Sequence, residues 1–258
     1  MNILVTGGTG ALGRNVVKRL LDSGHRVRIL SRRPGTGHDW IQGDLATGAG
    51  LEAAVTGIDA IVHAASATVQ PQRVHATDVL GTRRLLAMAR EAGVHHAVYV
   101  SIVGIDGVAY PYYKGKLTAE AVMREDIVPW SILRATQFHP FMEFVLGTLS
   151  TLPRLAIVPF KWRFQPVDAG EVATRLVEVV TAPPAGMLPD FGGPEVRDFK
   201  SIAESWLKAR KLNKRLVNLW LPFKASGLVA EGRLTCPDHK DGTMTFEQYL
   251  DRRYPQQP

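Results

Sequence analysis

The chain has 258 residues, of which 45% are hydrophobic and 21% charged, with a net charge of +7. This suits a globular protein of one large domain or of a domain plus a lobe, and no apolar run approaches the roughly 18–20 residues that span a bilayer. Cys236 is the single cysteine, which excludes an internal disulfide and reads as an inert thiol.

The first element is an apolar strand, Ile3, Leu4 and Val5, which stops at Thr6-Gly7-Gly8-Thr9-Gly10-Ala11-Leu12-Gly13. A helical pattern follows, with Leu12, Val16, Leu20 and Leu21 on one side and Asp22, Ser23 and Gly24 closing it. Gly8, Gly10 and Gly13 fit G-x-G-x-x-G, and Gly7, Gly10 and Gly13 fit T-G-x-x-G-x-x-G. Strand, glycine turn and helix are the context of a dinucleotide site. Glycines let the backbone approach a pyrophosphate, and the helix N-terminus presents free amides and partial positive charge. The start Met-Asn-Ile-Leu enters this strand without the regions of a signal peptide. With the lone cysteine, it leads to the expectation of a cytoplasmic protein.

Further strands are predicted over 26–30, 60–64, 97–100 and 130–133, and helices over 78–92 and 112–125. Alternating strands and helices predict an α/β fold of the Rossmann type, a doubly wound parallel sheet with ligands at the carboxyl ends of its strands. The pattern changes after Arg134. Residues 136–165 are rich in Phe, Leu, Pro and Trp, a helix is expected near Asp168, and an amphipathic helix over 199–210 has Asp198 as cap with Ile202, Trp206 and Leu207 inward. The expected organisation is a nucleotide-binding domain over 1–135 and a substrate-side lobe over 136–258 that packs on it and can return a strand or helix to it. The basic cluster of Lys208, Arg210, Lys211, Lys214 and Arg215 has no interleaved aromatics and reads as a solvated helix end. Neither a specific nucleic acid nor a membrane is an expected partner. A small-molecule substrate is, with the oligomeric state open between monomer and homodimer. The histidines show no metal-ligand spacing, so no metal is expected.

Proteins of this type that prefer NAD place an acid about twenty residues after the glycines, on the ribose 2′-hydroxyl. Here Ser31, Arg32 and Arg33 stand there. Guanidinium groups bind phosphate through paired hydrogen bonds, so NADP is favoured over NAD.

The candidate chemistry lies in Tyr110-Pro111-Tyr112-Tyr113-Lys114-Gly115-Lys116. Tyr110 with Lys114 and Tyr112 with Lys116 both fit Tyr-x-x-x-Lys. Pro111 is well placed at a first helical position, which puts Tyr112 and Lys116 on one helical face and Tyr110 ahead of the helix. A neighbouring lysine cation would favour the phenolate and lower the tyrosine pKa, and lysine can also hold the nicotinamide ribose. Ser101, at the end of Val98-Tyr99-Val100, is the candidate for orienting a substrate carbonyl.

These motifs resemble a short-chain dehydrogenase/reductase of the extended or atypical branch, similar to NmrA-like and nucleoside-diphosphate-sugar-epimerase-like proteins. The resemblance runs through residues 6–13, Gly43-Asp44-Leu45, Val62-His63-Ala64-Ala65, Ser101, Tyr112 with Lys116 and Glu120, and Gly192-Gly193-Pro194-Glu195. It implies that Gly7, Thr9, Gly10, Ala11, Leu12 and Gly13 bind the cofactor, that Asp44 and Leu45 flank its adenine, and that Ala64 and Ala65 line it. It also implies catalytic roles for Ser101, Tyr112 and Lys116. Gln137, Phe138 and His139 are the candidates for substrate contact, while Phe141, Met142 and Phe144 read as core or as an apolar wall. The expected activity is hydride transfer between NADPH and a small, partly apolar carbonyl. The alternatives are a non-catalytic NADP(H)-sensing protein and nucleotide-sugar epimerase or dehydratase chemistry.

Overall fold

The computed structural model describes residues 1–36 and 39–255. Its elements in order are β1 (Asn2–Thr6), α1 (Ala11–Asp22), β2 (Arg26–Ser31), β3 (Asp39–Gln42), α2 (Leu51–Val55), β4 (Ala60–His63), α3 (Gly81–Glu91), β5 (His96–Ile102), α4 (Pro111–Glu125) and β6 (Trp130–Ala135). There follow α5 (His139–Leu149), β7 (Leu155–Val158), β8 (Arg163–Phe164), α6 (Ala169–Thr181), β9 (Gly186–Met187), β10 (Arg197–Asp198), α7 (Phe199–Ala209), β11 (Arg215–Asn218), α8 (Lys224–Ala230) and α9 (Phe246–Arg253).

Internal contacts divide the chain into two units. The first comprises Met1–Ser101, Tyr110–Arg134 and Gly170–Pro189. Its seven-stranded sheet has the order β3-β2-β1-β4-β5-β6-β9, the doubly wound parallel arrangement predicted from the alternation of strands and helices. The central strands β1 and β4 carry apolar runs because helices cover both faces, and Ile3, Leu4, Val5, Ile61 and Val62 are fully buried. One core cluster gathers Leu51, Leu85, Tyr99, Met123 and Ile132. Behind it the carboxylate of Glu120 on α4, itself fully buried, takes two hydrogen bonds from Arg134 of β6 at 2.8 and 2.7 Å and one from Arg124 at 2.7 Å. That pairing holds α4 at a fixed height along the sheet.

The second unit comprises Ile102–Ala109, Ala135–Ala169 and Asp190–Pro258. Two short sheets, β8 with β10 and β7 with β11, and helices α5, α7, α8 and α9 make it up. Phe199 and Trp206 of α7 are buried, and the Asp198 side chain caps that helix by accepting from Ser201 N at 2.8 Å. Among the described residues no helix is long and apolar enough to cross a membrane.

Candidate active site at the strand ends

A cleft of about 530 Å³ opens where β1, β2, β3 and β4 end. Gly7, Thr9, Gly10, Ser31, Arg32, Arg33, Asp44, Leu45, Ala64 and Ala65 all line it. Gly7 has a φ of +70°, and a methyl group there would stand 2.7 Å from the nitrogen of Ala65. The turn is therefore pressed against the end of β4. Gly10 caps α1 with no side-chain hydrogen bond, and no acid lies in the first turn of that helix, so its amides remain available to an anion. Ala11, Leu12 and Gly13 are absent from the lining. The Leu12 side chain is core and Gly13 packs under the carbonyl of Gly7, so what these two can offer a bound anion is a backbone amide. The cradle fits a dinucleotide pyrophosphate.

At one end of the cleft the backbone of the Ser31–Arg33 loop is held by hydrogen bonds. Trp40 Nε1 donates to the Arg33 carbonyl at 2.9 Å, Gln42 Nε2 donates to that of Arg32 at 3.3 Å, and Ser31 Oγ accepts from Arg33 N at 3.2 Å. Both arginines are exposed, and neither guanidinium has a partner among the described residues. Asp44, the one carboxylate among the described lining residues, is already engaged: Oδ1 accepts from Ala46 N at 2.9 Å and Oδ2 pairs with Arg73 at 3.1 Å.

Helix α4 begins at Pro111 with Tyr110 as its cap residue, as the proline predicts. Tyr112 is 7% exposed, and its hydroxyl lies 3.0 Å from Ser66 Oγ and 3.1 Å from Thr68 Oγ1, both on the cleft wall. Ser66 in turn donates to Asp78 Oδ1 at 2.5 Å, and Ala67 N donates to Oδ2 at 2.9 Å. Lys116 is turned elsewhere. Its ammonium donates to the carbonyl of Val100 at 2.6 Å and stands 4.1 Å over the Tyr99 ring, and burial pushes its pKa down to about 8. The expected lowering of the tyrosine pKa by lysine is therefore corrected. Burial raises the Tyr112 pKa, and the groups acting in the opposite direction are the Ser66 and Thr68 hydroxyls. Ser101 is 3% exposed and its hydroxyl has no hydrogen-bond partner among the described residues.

His63 underlies the same wall. Its Nδ1 lies 2.6 Å from Thr6 Oγ1 and its Nε2 2.9 Å from Thr82 Oγ1, and burial pushes its pKa down to about 3, so the ring is neutral. Sequence reasoning missed Trp40, Ser66, Thr68 and Asp78. The last of these lies on a stretch of wide π-type turns, His75–Leu80, that precedes α3. The serine could have been found by its place, directly after Ala64-Ala65 at a strand end.

In the second unit Gln137 is buried, with Nε2 donating to the carbonyl of Leu234 at 3.0 Å and Oε1 accepting from Gln165 N at 3.4 Å. His139 is fully buried, stacked on Tyr249 at 5.0 Å between ring centres, with Nε2 3.2 Å from the Met244 carbonyl. Phe138 is half-buried and precedes α5. The expectation of substrate contact is corrected for Gln137 and His139, because their polar and aromatic groups are committed to packing within that unit. Burial raises the Cys236 thiol to about 12, which leaves it inert.

Residues 7–140 match the sequence model of an NAD(P)H-binding family. Over 144 residues the chain is 35% identical to a (4-alkanoyl-5-oxo-2,5-dihydrofuran-3-yl)methyl phosphate reductase of Streptomyces griseus, a match covering 53% of this chain and 48% of that one. Over 114 residues it is 41% identical to a 3 beta-hydroxysteroid dehydrogenase/Delta 5-->4-isomerase of Mycobacterium tuberculosis, covering 38% of this chain and 31% of that one. The chain thus spans less than half the length of these curated relatives. A short-chain dehydrogenase/reductase superfamily protein from Agrobacterium tumefaciens, solved with bound NAD, shares the fold with a TM-score of 0.73 at 22% identity, covering 98% of this chain and 95% of that one. With the family model spanning more than half of its residues, the chain belongs to the NAD(P)H-binding family.

Proposed function

We propose that the protein is an NADP(H)-dependent oxidoreductase that interconverts a small, partly apolar carbonyl compound and its alcohol. The observation that carries this reading is the pair of guanidinium groups, Arg32 and Arg33, unpartnered among the described residues, at the end of a cleft where the one carboxylate among the described lining residues is already paired. A 2′-phosphate would meet two cations there and no free acid. Gly7, Thr9 and Gly10 would hold the pyrophosphate, Asp44 and Leu45 the adenine side, and Ala64 and Ala65 the wall beyond. When bound, the nicotinamide supplies or takes up hydride. Tyr112 gives its phenolic proton to the carbonyl oxygen, and its burial keeps it protonated at neutral pH, as a proton donor must be. Lys116 would steady the end of β5 and present its charge beneath the site, and Ser101 carries a hydroxyl available to a ligand that reaches it. Reductase and dehydrogenase relatives support the reaction class. One buried cysteine suits a reducing compartment, and we place the enzyme in the cytoplasm.

A second reading, an NADP(H)-sensing protein without turnover, is favoured by one observation: the Tyr112 hydroxyl already has two hydroxyl partners. The test is fluorescence titration with NADPH and NADH, then a panel of aldehydes and ketones followed by NADPH absorbance. The oxidoreductase reading expects tighter NADPH than NADH binding and turnover of at least one apolar carbonyl. Tight NADPH binding with no turnover across the panel would favour sensing, and equal affinity for both cofactors would remove the NADP assignment.

A further inference from the structure

The polar groups behind Tyr112 form a single hydrogen-bonded line. Its hydroxyl meets Ser66 at 3.0 Å, and Ser66 meets Asp78 at 2.5 Å. Asp78 is 1% exposed, so the line runs from a wall of the cleft into the core. An ionised carboxylate only accepts, so Ser66 must donate to Asp78 and is left to accept from Tyr112, while Thr68 donates to the Tyr112 oxygen. With Asp78 protonated the line reverses: Asp78 donates to Ser66, and Ser66 donates to a Tyr112 phenolate. The two states differ only in which side of each existing hydrogen bond holds the proton. Lys116 makes no hydrogen bond to this line, its ammonium being bonded to the Val100 carbonyl, while its charge acts on Asp78.

We propose that Asp78, acting through Ser66, is the proton store of Tyr112. The inference rests on the oxidoreductase reading. In alcohol oxidation the substrate C–H bond breaks and its electron pair leaves as hydride to the oxidised nicotinamide cofactor. The substrate O–H proton passes to Tyr112 Oη, the Tyr112 proton to Ser66 Oγ and the Ser66 proton to Asp78 Oδ1, and the C=O bond forms. Carbonyl reduction is the reverse, with the reduced cofactor as hydride donor, and the proton it consumes is restored to Asp78 from water in the open cleft through Tyr112 and Ser66 between turnovers. Ser66 and Asp78 are positioning residues in this scheme, since neither need touch the substrate.

The test compares Ser66→Ala, Asp78→Asn, the double variant and Ser66→Thr. Asparagine keeps a hydrogen bond to Ser66 but cannot exchange a proton, so a merely structural role would survive in it. With NADPH affinity unchanged as the control for folding, each single variant should lose about 100-fold or more in kcat with little change in KM. The double variant should lose no more than either single one, and Ser66→Thr should recover most of the rate.

A second readout needs no cofactor. Tyrosinate absorbance belonging to Tyr112, obtained by subtracting the spectrum of Tyr112→Phe, should appear at higher pH in Ser66→Ala, which loses the hydroxyl that can turn its proton from Asp78 to the phenolate. It should appear at lower pH in Asp78→Asn, which loses a neighbouring anion. Tyr99, Tyr110, Tyr113 and Lys116, the other titratable groups that act on this line, are common to all variants. Single variants that keep kcat within about 2-fold, or losses that add in the double variant, would overturn the proposal. If the wild type itself never turns over, the oxidoreductase reading fails. Opposite absorbance shifts would then still uphold the coupled line, and absent or parallel shifts would overturn that too.

Discussion

A methyl group placed on Gly13 would stand 2.1 Å from the carbonyl oxygen of Gly7. The start of α1 is therefore seated directly on the turn that ends β1, and only glycine permits the approach. Gly13→Ala must displace backbone rather than a side chain, so it should lower stability by about 1–3 kcal/mol and weaken NADPH binding at least tenfold. Gly147 in α5 has open space around it, and Gly147→Ala should instead stabilise by about 0.5–1 kcal/mol with no effect on NADPH. Thermal unfolding and fluorescence titration of the two variants check both statements.

Arg32 and Arg33 have no charge partner among the described residues, so replacing them tests what they give to a ligand. Hydrogen bonds to a charged group contribute about 1.5–3 kcal/mol, so Arg32→Ala should raise the Kd for NADPH about 10- to 100-fold. The Kd for NADH should stay within about 3-fold, because NADH carries no 2′-phosphate. An equal loss for both cofactors would show that the arginines do not read the phosphate.

His63 is held neutral between Thr6 and Thr82, with its pKa pushed down to about 3 in the folded chain from an ordinary 6.5. Below pH 6.5 the unfolded chain binds a proton that the folded chain refuses. The stability contribution is therefore complete above pH 6.5 and is lost as pH falls toward 3, up to about 5 kcal/mol. Urea unfolding at pH 7 and pH 4.5 should show the wild type losing about 3 kcal/mol more than His63→Gln over that interval.

The fold was legible wherever local pattern and tertiary context agreed. The run Ile3-Leu4-Val5 and the periodic Leu12, Val16 and Leu20 announce a buried parallel strand and its covering helix, and Pro111 marks the start of α4. Strand β3 was missed because its four residues carry Asp39 and Gln42 and make no apolar run. The chain's return to the first sheet through β9 rests on two residues, Gly186 and Met187, too few to show a period. At the site, glycines and arginines were readable because their chemistry follows from residue type and position. The destination of Lys116 was not, since a carbonyl such as that of Val100 leaves no trace in sequence. Ser66 and Asp78 acquire their meaning only from the π-type turn that brings them together.

If Tyr112 acts on substrate in an NADP(H) site, turnover depends on its hydroxyl. The most direct measurement is single-turnover oxidation of bound NADPH with a carbonyl found in the panel, comparing wild type with Tyr112→Phe at equal NADPH saturation. Tyr112→Phe should lose about 100-fold or more in rate with NADPH affinity unchanged. A Tyr112→Phe protein that oxidises NADPH at the wild-type rate would contradict that role.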